Sequence, residues 1–312
     1  MKSDYRISVL IPCHSTKFLS ESIRSIREQT LHKDEFEVVI IADRVDVAEV
    51  ANILFESHLN YRIISSESPG IVAALNTGLQ NISSEYVARM DEDDIMFPIR
   101  LQDQLEYLDS TPKCVAVGGG LELIDENGSR IGESKFRRRI STSYKKLFIS
   151  SPVAHPAAMI RRCAINEIGG YRAFLSEDWD LWVRLRENGE VHNLSQKVIK
   201  YRIHSNQLSR QKMYAQSRAR LIVGVSFFAR QADLADEPRS TSELEAWLSE
   251  STEYLRSTSL RFRMFLRWSK RIDLYQEQFN SLASTKQIST GLSLLIQYPV
   301  WFLRDVLKKI LH

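Results

Sequence analysis

The sequence predicts an α/β fold, a mostly parallel sheet with helices on both faces, and three observations predict it. Short apolar or β-branched runs alternate with amphipathic helical patterns over the first ninety or so residues. Each run ends in a polar turn. The fourth closes on a block of acids, Asp91-Glu92-Asp93-Asp94, at the strand end where an open α/β sheet collects its ligands. In order, the runs at 7–12, 37–42, 61–64 and 86–90 read as strands, and the patterns around 18–29, 46–58 and 71–80 read as helices. The turns after those strands, at 12–15, 43–46, 65–70 and 91–94, should therefore share one rim.

Clustered acids at a strand end are costly, because like charges repel and each must be hydrated or paired. A cation outside the carboxyl ends of the sheet offsets that cost. Along an extended turn Asp91 and Asp93 point the same way, with Glu92 and Asp94 pointing elsewhere, so two oxygen ligands face one Mg²⁺ or Mn²⁺. The competing reading is a solvated acidic turn in which Asp94 caps a helix starting near Ile99.

Composition narrows the classes further. At 312 residues the chain exceeds the usual single domain, so one large domain plus an appendage is expected. Three widely spaced cysteines, Cys13, Cys114 and Cys163, fit neither a disulfide framework nor a zinc site and point to a reducing compartment. The N-terminus runs into its first strand without an apolar leader, and the expected location is the cytoplasm. Residues 251–312 hold ten Lys or Arg against four acids, a tail of +6; given the net +3, the first 250 residues carry −3. A basic, aromatic-rich tail suits an anionic surface, and the mildly acidic body gives no sign of a nucleic-acid stripe. No G-x-G-x-x-G follows the first strand and no G-x-x-x-x-G-K-[ST] occurs, which argues against dehydrogenases and P-loop enzymes. The one glycine run, Gly118-Gly119-Gly120, is expected after a late strand.

Eight segments in order then become informative: SVLIPCH (8–14), EVVIIAD (37–43), GIVAALNTGL (70–79), ARMDEDDIMFPIRLQDQ (88–104), VAHPAAMIRR (153–162), IGGYR (168–172), SEDWDLW (176–182) and YRIHSNQLS (201–209). In these the chain resembles the family 2 glycosyltransferases with the GT-A fold, and among them the bacterial subgroup that assembles surface polysaccharides such as O-antigen, capsule and exopolysaccharide. The resemblance implies a GT-A catalytic domain over 1–210 and leaves 211–312 as a helical C-terminal extension. It also makes Asp91-x-Asp93 the D-x-D motif, with Asp93 a direct ligand of a Mn²⁺ or Mg²⁺ ion bridging the donor's diphosphate. Asp91 would meet the ribose or the ion's water shell. Asp43 would recognise a uracil ring, with Pro12 lining the base pocket; the other reading of Asp43 is a cap of the next helix. Two departures stand out, Cys13-His14 where many members have Tyr-Asn and Leu75 where many have Arg.

The spacing of Leu181, Trp182 and Leu185 suggests a helix with one buried face and acids at its N-terminus. Direct displacement needs a carboxylate to accept the acceptor hydroxyl's proton. Asp178 fits that role and matches the Asp of the family's Glu-Asp motif, with Glu177 orienting it or binding acceptor hydroxyls. For Asp180, stabilisation by the helix dipole suffices. His204 is read as a metal or diphosphate ligand, or as neither, and His155 as an acceptor or phosphate contact or a structural histidine. Lys197, Lys200, Arg202 and Arg210 are expected on solvated surface, with phosphate charge as a further role. The segment 292–311 carries an apolar stripe that suits an interfacial helix on the membrane or a helix packed on the core.

Together these readings describe an inverting, metal-dependent transferase that moves a sugar from a nucleotide sugar, UDP-linked, to a hydroxyl of a growing glycan. The acceptor implied by the resemblance is lipid-linked, at the inner face of the cytoplasmic membrane. Two other classes share some of these features: a sugar-1-phosphate nucleotidyltransferase, and a noncatalytic module binding nucleotide sugar or glycan.

Overall fold

Alternation is the rule in the first strands of the computed structural model. In β1 (Ile7–Cys13) and β2 (Phe36–Ala42) every residue is buried, and neighbours along the strand face opposite layers of core. Val9, Ile11, Val38 and Ile40 join one apolar cluster; Leu10, Val39 and Ile41 join the other. Strands buried on both faces read as continuous apolar runs, which is how they read in the sequence. The structure describes residues 5–134, 151–173, 176–204 and Val223. All but Val223 fall in one compact unit.

The chain continues through β3 (Tyr61–Ser65), β4 (Tyr86–Arg89), the two-residue β5 (Ile95–Met96), β6 (Cys114–Ile124), β7 (Arg130–Ser134), β8 (Met159–Arg161) and β9 (Glu190–Arg202). Its helices are α1 (Leu19–Arg27), α2 (Val47–Phe55), α3 (Ile71–Gln80), α4 (Arg100–Ser110), α5 (Arg162–Glu167) and α6 (Glu177–Asn188). Among the described residues the strands form one sheet in the order β3-β2-β1-β4-β8-β6-β9-β5, with β7 paired to β6. β3, β2, β1 and β4 run parallel; β8 opposes both β4 and β6, so β6, and β9 parallel to it, resume the first direction. Six of the nine strands share one direction and β5, β7 and β8 oppose it, so the sheet is mixed, with its wholly parallel part at β3-β2-β1-β4. Leu19, Ile23 and Ile26 of α1, Val50 and Leu54 of α2 and Leu101, Leu105 and Leu108 of α4 cover one face. Leu75 and Leu79 of α3, Ile165 of α5 and Trp182 and Leu185 of α6 cover the other. Each such side chain contributes about 1.5–3 kcal/mol by leaving water.

Two expectations need correction here. Gly118-Gly119-Gly120 does not follow a strand but lies inside β6, where the register with β9 shifts within the run and again just after it. A Cβ at Gly118 would stand 2.4 Å from Val153 Cγ1, and one at Gly119 2.5 Å from Val198 Cγ1. The run is there for close approach of neighbouring chain rather than for a turn. The second concerns the start of α4. Its N-cap is Ile99, with no side-chain cap, so Asp94 caps nothing there.

Val223 apart, the expectations for 211–312, both the helical extension and the membrane stripe, lie outside the described residues, as does Arg210. Among the described residues no helix is long and apolar enough to cross a membrane.

Candidate active site

β1 lies between β2 and β4, so the chain switches direction of travel across the sheet at that pair, the place where open α/β sheets bind their ligands. Pro12 is buried at the end of β1, in register with Ile41. Asp43 follows β2 and is buried; its Oδ2 accepts from the Gly70 N–H at 2.9 Å and its Oδ1 from Arg44 Nε at 3.0 Å. It does not cap α2, because Asp46 does so by accepting from Ala48 N. Gly70 adopts φ 109°, a conformation open to glycine, and that bend aims its N–H at Asp43 just before α3 begins.

The acid block after β4 is a tight turn, closed by a 3.4 Å bond from Asp94 N–H to the Asp91 carbonyl. Strict alternation therefore fails there. Glu92 does point away, but Asp94 does not: one carboxylate oxygen each from Asp91, Asp93 and Asp94 lie within 4.8 Å of one another. The expected pair is a trio. Each acid of the turn also meets its own donor. Asp91 pairs with the buried Arg89, Glu92 Oε1 lies 2.5 Å from His14 Nδ1, Asp93 Oδ2 lies 2.8 Å from His204 Nε2, and Asp94 Oδ1 accepts from the Arg202 N–H at 2.9 Å.

The charge on this turn is under strain. Burial first, then the neighbouring carboxylates, pushes Asp94 well above the ordinary carboxylate range. Burial also raises Asp91 against the pull of Arg89, and burial and Glu92 raise Asp93 against His204. Asp94 Oδ2 is buried with no hydrogen-bond partner among the described residues. Hard oxygen donors, excess negative charge and an orphaned buried oxygen make a donor set suited to Mg²⁺ or Mn²⁺.

Glu177 and Asp178 open the first turn of α6, both partly buried. Burial, then the adjacent Asp178, pushes the Glu177 carboxyl up to about 8, with Arg89 opposing and Asp91 adding to the shift. Those influences place the pair within electrostatic reach of the acid turn. Val87 faces the core layer that contains α6, and Arg89, two residues on, leaves the strand on that side. Asp180 is different: it is buried and salt-bridged to Arg184, with Arg184 Nε 2.8 Å from its Oδ2. His155 is also structural, since burial holds it well below its ordinary pKa and its Nε2 meets the Tyr171 hydroxyl at 2.8 Å.

Among the basic residues, Lys197 pairs with Glu122 and Glu133, and Lys200 sits over the Phe97 ring. Arg202 corrects the expectation of solvated surface, because it is fully buried. Arg89, His14 and Asp94 complete the rim; sequence alone assigns none of them a site role, Asp94 reading as a helix cap and His14 only as a departure from the family pattern. For Arg89 and His14 the available signal was position, a cationic side chain at each of two rim-forming strand ends.

A family model, Glycosyl transferase family 2, matches residues 8–169. The O-antigen biosynthesis glycosyltransferase WbnJ of Escherichia coli is 35% identical over 64% of this chain and 80% of its own. The UDP-Gal:alpha-D-GlcNAc-diphosphoundecaprenol beta-1,3-galactosyltransferase of the same species is 30% identical over 63% of this chain and 74% of its own. In fold, the chain is similar to a mannosyltransferase of Pyrobaculum calidifontis in complex with GDP-Man and Mn2+, with a TM-score of 0.55, 18% identity, and coverage of 87% of this chain and 81% of that one.

Proposed function

The chain belongs to glycosyl transferase family 2 and is a glycosyltransferase, and from that premise we propose a specific reaction: inverting transfer of a sugar from a UDP-linked donor to a hydroxyl of a lipid-linked bacterial surface glycan. The observation that carries it is the carboxylate trio of Asp91, Asp93 and Asp94 within electrostatic reach of Glu177-Asp178. Asp91, Asp93, Asp94 and His204 would hold a divalent cation. Bound there, such an ion offsets charge that develops on a departing diphosphate.

The protein's own groups account for the other requirements. Asp43, fixed by Gly70 and Arg44, and Pro12 beside it form the base end of the donor site. Asp178 takes the proton from the acceptor hydroxyl as that oxygen attacks C1; the bond from C1 to the diphosphate oxygen breaks, its electron pair leaves with UDP, and the configuration at C1 inverts. Burial and the adjacent Asp178 push the Glu177 carboxyl up to about 8, so Glu177 is a poor proton acceptor at neutral pH and the role of base falls to Asp178. The name of the undecaprenol-linked relative supports a lipid-linked acceptor. The basic tail supports attachment at the inner membrane surface, with 1–210 carrying the chemistry and 211–312 the attachment.

The experiment is a panel of nucleotide sugars incubated with the protein and Mn²⁺, before and after EDTA. Release of UDP that EDTA abolishes and Mn²⁺ restores is expected, with Asp93→Ala inactive. Asp178→Asn should lose about 10²-fold or more in turnover while binding donor normally. Full activity in EDTA, or release of pyrophosphate in place of UDP, contradicts the proposal.

A further inference from the structure

We propose that Arg202, the last residue of β9, is a positioning residue for the cation site, holding the acid turn in its coordinating shape from behind. The inference rests on reading the Asp91–Asp94 turn as a cation site. Arg202 is fully buried. Its Nε donates to the Asp93 carbonyl at 2.9 Å, its Nη1 to the carbonyls of Asp125 and Glu126 at 3.3 and 3.0 Å, and its Nη2 to Glu21 Oε2 at 2.8 Å. Its guanidinium lies 4.4 Å from the Phe18 ring centroid, and its own backbone N–H donates to Asp94 Oδ1. Two residues later His204 reaches Asp93 Oδ2.

Three elements thus converge on one side chain: the acid turn, the turn between β6 and β7, and α1. The contact to Asp93 is to main chain, so it sets the turn's shape without taking a ligand oxygen. The contact from Arg202 N–H to Asp94 occupies Oδ1 and leaves Oδ2 to the cluster. A guanidinium is suited to this position because its fork of N–H groups reaches carbonyls on two turns and a carboxylate at once; an ammonium is a single point charge. A purely structural buried ion pair would account for Glu21 alone. It would not require the donors to meet the metal turn at both main chain and side chain.

The test is Mn²⁺ binding to the full-length protein, read by electron paramagnetic resonance of free Mn²⁺, beside thermal melts and the KM for Mn²⁺ in donor hydrolysis. Arg202→Lys should bind Mn²⁺ about tenfold more weakly, the usual scale for an outer-shell partner, with KM for Mn²⁺ raised and kcat at saturating Mn²⁺ retained. Glu21→Gln, a surface change that leaves the fork on the carbonyls, should show a smaller loss in the same direction. If Arg202→Lys melts lower yet binds Mn²⁺ as wild type does, Arg202 serves the fold alone and the proposal is overturned. Should that variant fail to fold, wild-type affinity in Glu21→Gln overturns it equally. No Mn²⁺ binding by the wild type overturns the cation reading itself, and this inference with it.

Discussion

A partly buried carboxyl pushed up to about 8 is the residue-scale feature with the clearest thermodynamic signature. Glu177 titrates near 8 in the folded chain, above the 4.5 of an unperturbed glutamate. Folding therefore favours the protonated form, and the stability this contributes is complete below the unfolded value and lost as pH rises through about 8. Glu177→Gln has no proton to lose. Its melting temperature relative to wild type, measured without metal, should rise between pH 5 and pH 8.5; a pH-independent difference would show that Glu177 is not desolvated as described. Turnover at neutral pH should be largely retained in the same variant, because the neutral amide stands in for the protonated carboxyl.

At the scale of elements, β6 is held against its neighbours by the lack of side chains at its glycines. Val198 is β-branched, fully buried and stiff, so a methyl at position 119 cannot push it aside without strain. Gly119→Ala should cost about 1–3 kcal/mol, read by denaturant melts, and Val198→Ala in the same chain should return part of it. No loss in Gly119→Ala would mean that β9 can move away from β6. This is also the scale at which the sequence was most and least legible. β1 to β4 were readable because they are buried on both faces and punctuated by polar turns. β6 was obscured because three glycines carry no hydrophobic signal. The alternation rule placed Asp91 and Asp93 together but turned Asp94 away, since it assumes an extended chain and the turn is closed by a hydrogen bond. Arg202 looked like surface because composition shows a charge and not the carbonyls of two other turns that surround it. Only tertiary contacts supply those.

For the whole molecule, the uneven charge is the sequence feature that bears on where the transferase works. A +6 tail following a −3 body should seek an anionic bilayer, each well-placed Lys or Arg contributing about 1 kcal/mol that salt screens away. Deleting 287–312 should release the protein from anionic vesicles and depress transfer to a lipid-linked acceptor, leaving hydrolysis of the sugar nucleotide largely intact. Equal cosedimentation of the full and shortened chains would rule the segment out as an anchor. A shortened chain that melts early and loses every activity would instead make it part of the core.

The donors that serve the acid turn come from widely separated parts of the chain, His14 near one end of the catalytic region and Arg202 and His204 near the other. A nascent chain that has emerged from the ribosome only as far as α6 already contains all four acids but not the strand that completes their surroundings. On the proposed reading, the cation site is complete only once β9 has joined the sheet, so its ligation belongs to the late contacts of folding. By the same reasoning, a cation bound there would lengthen the lifetime of the finished protein by slowing its unfolding, and would do little to hasten its arrival.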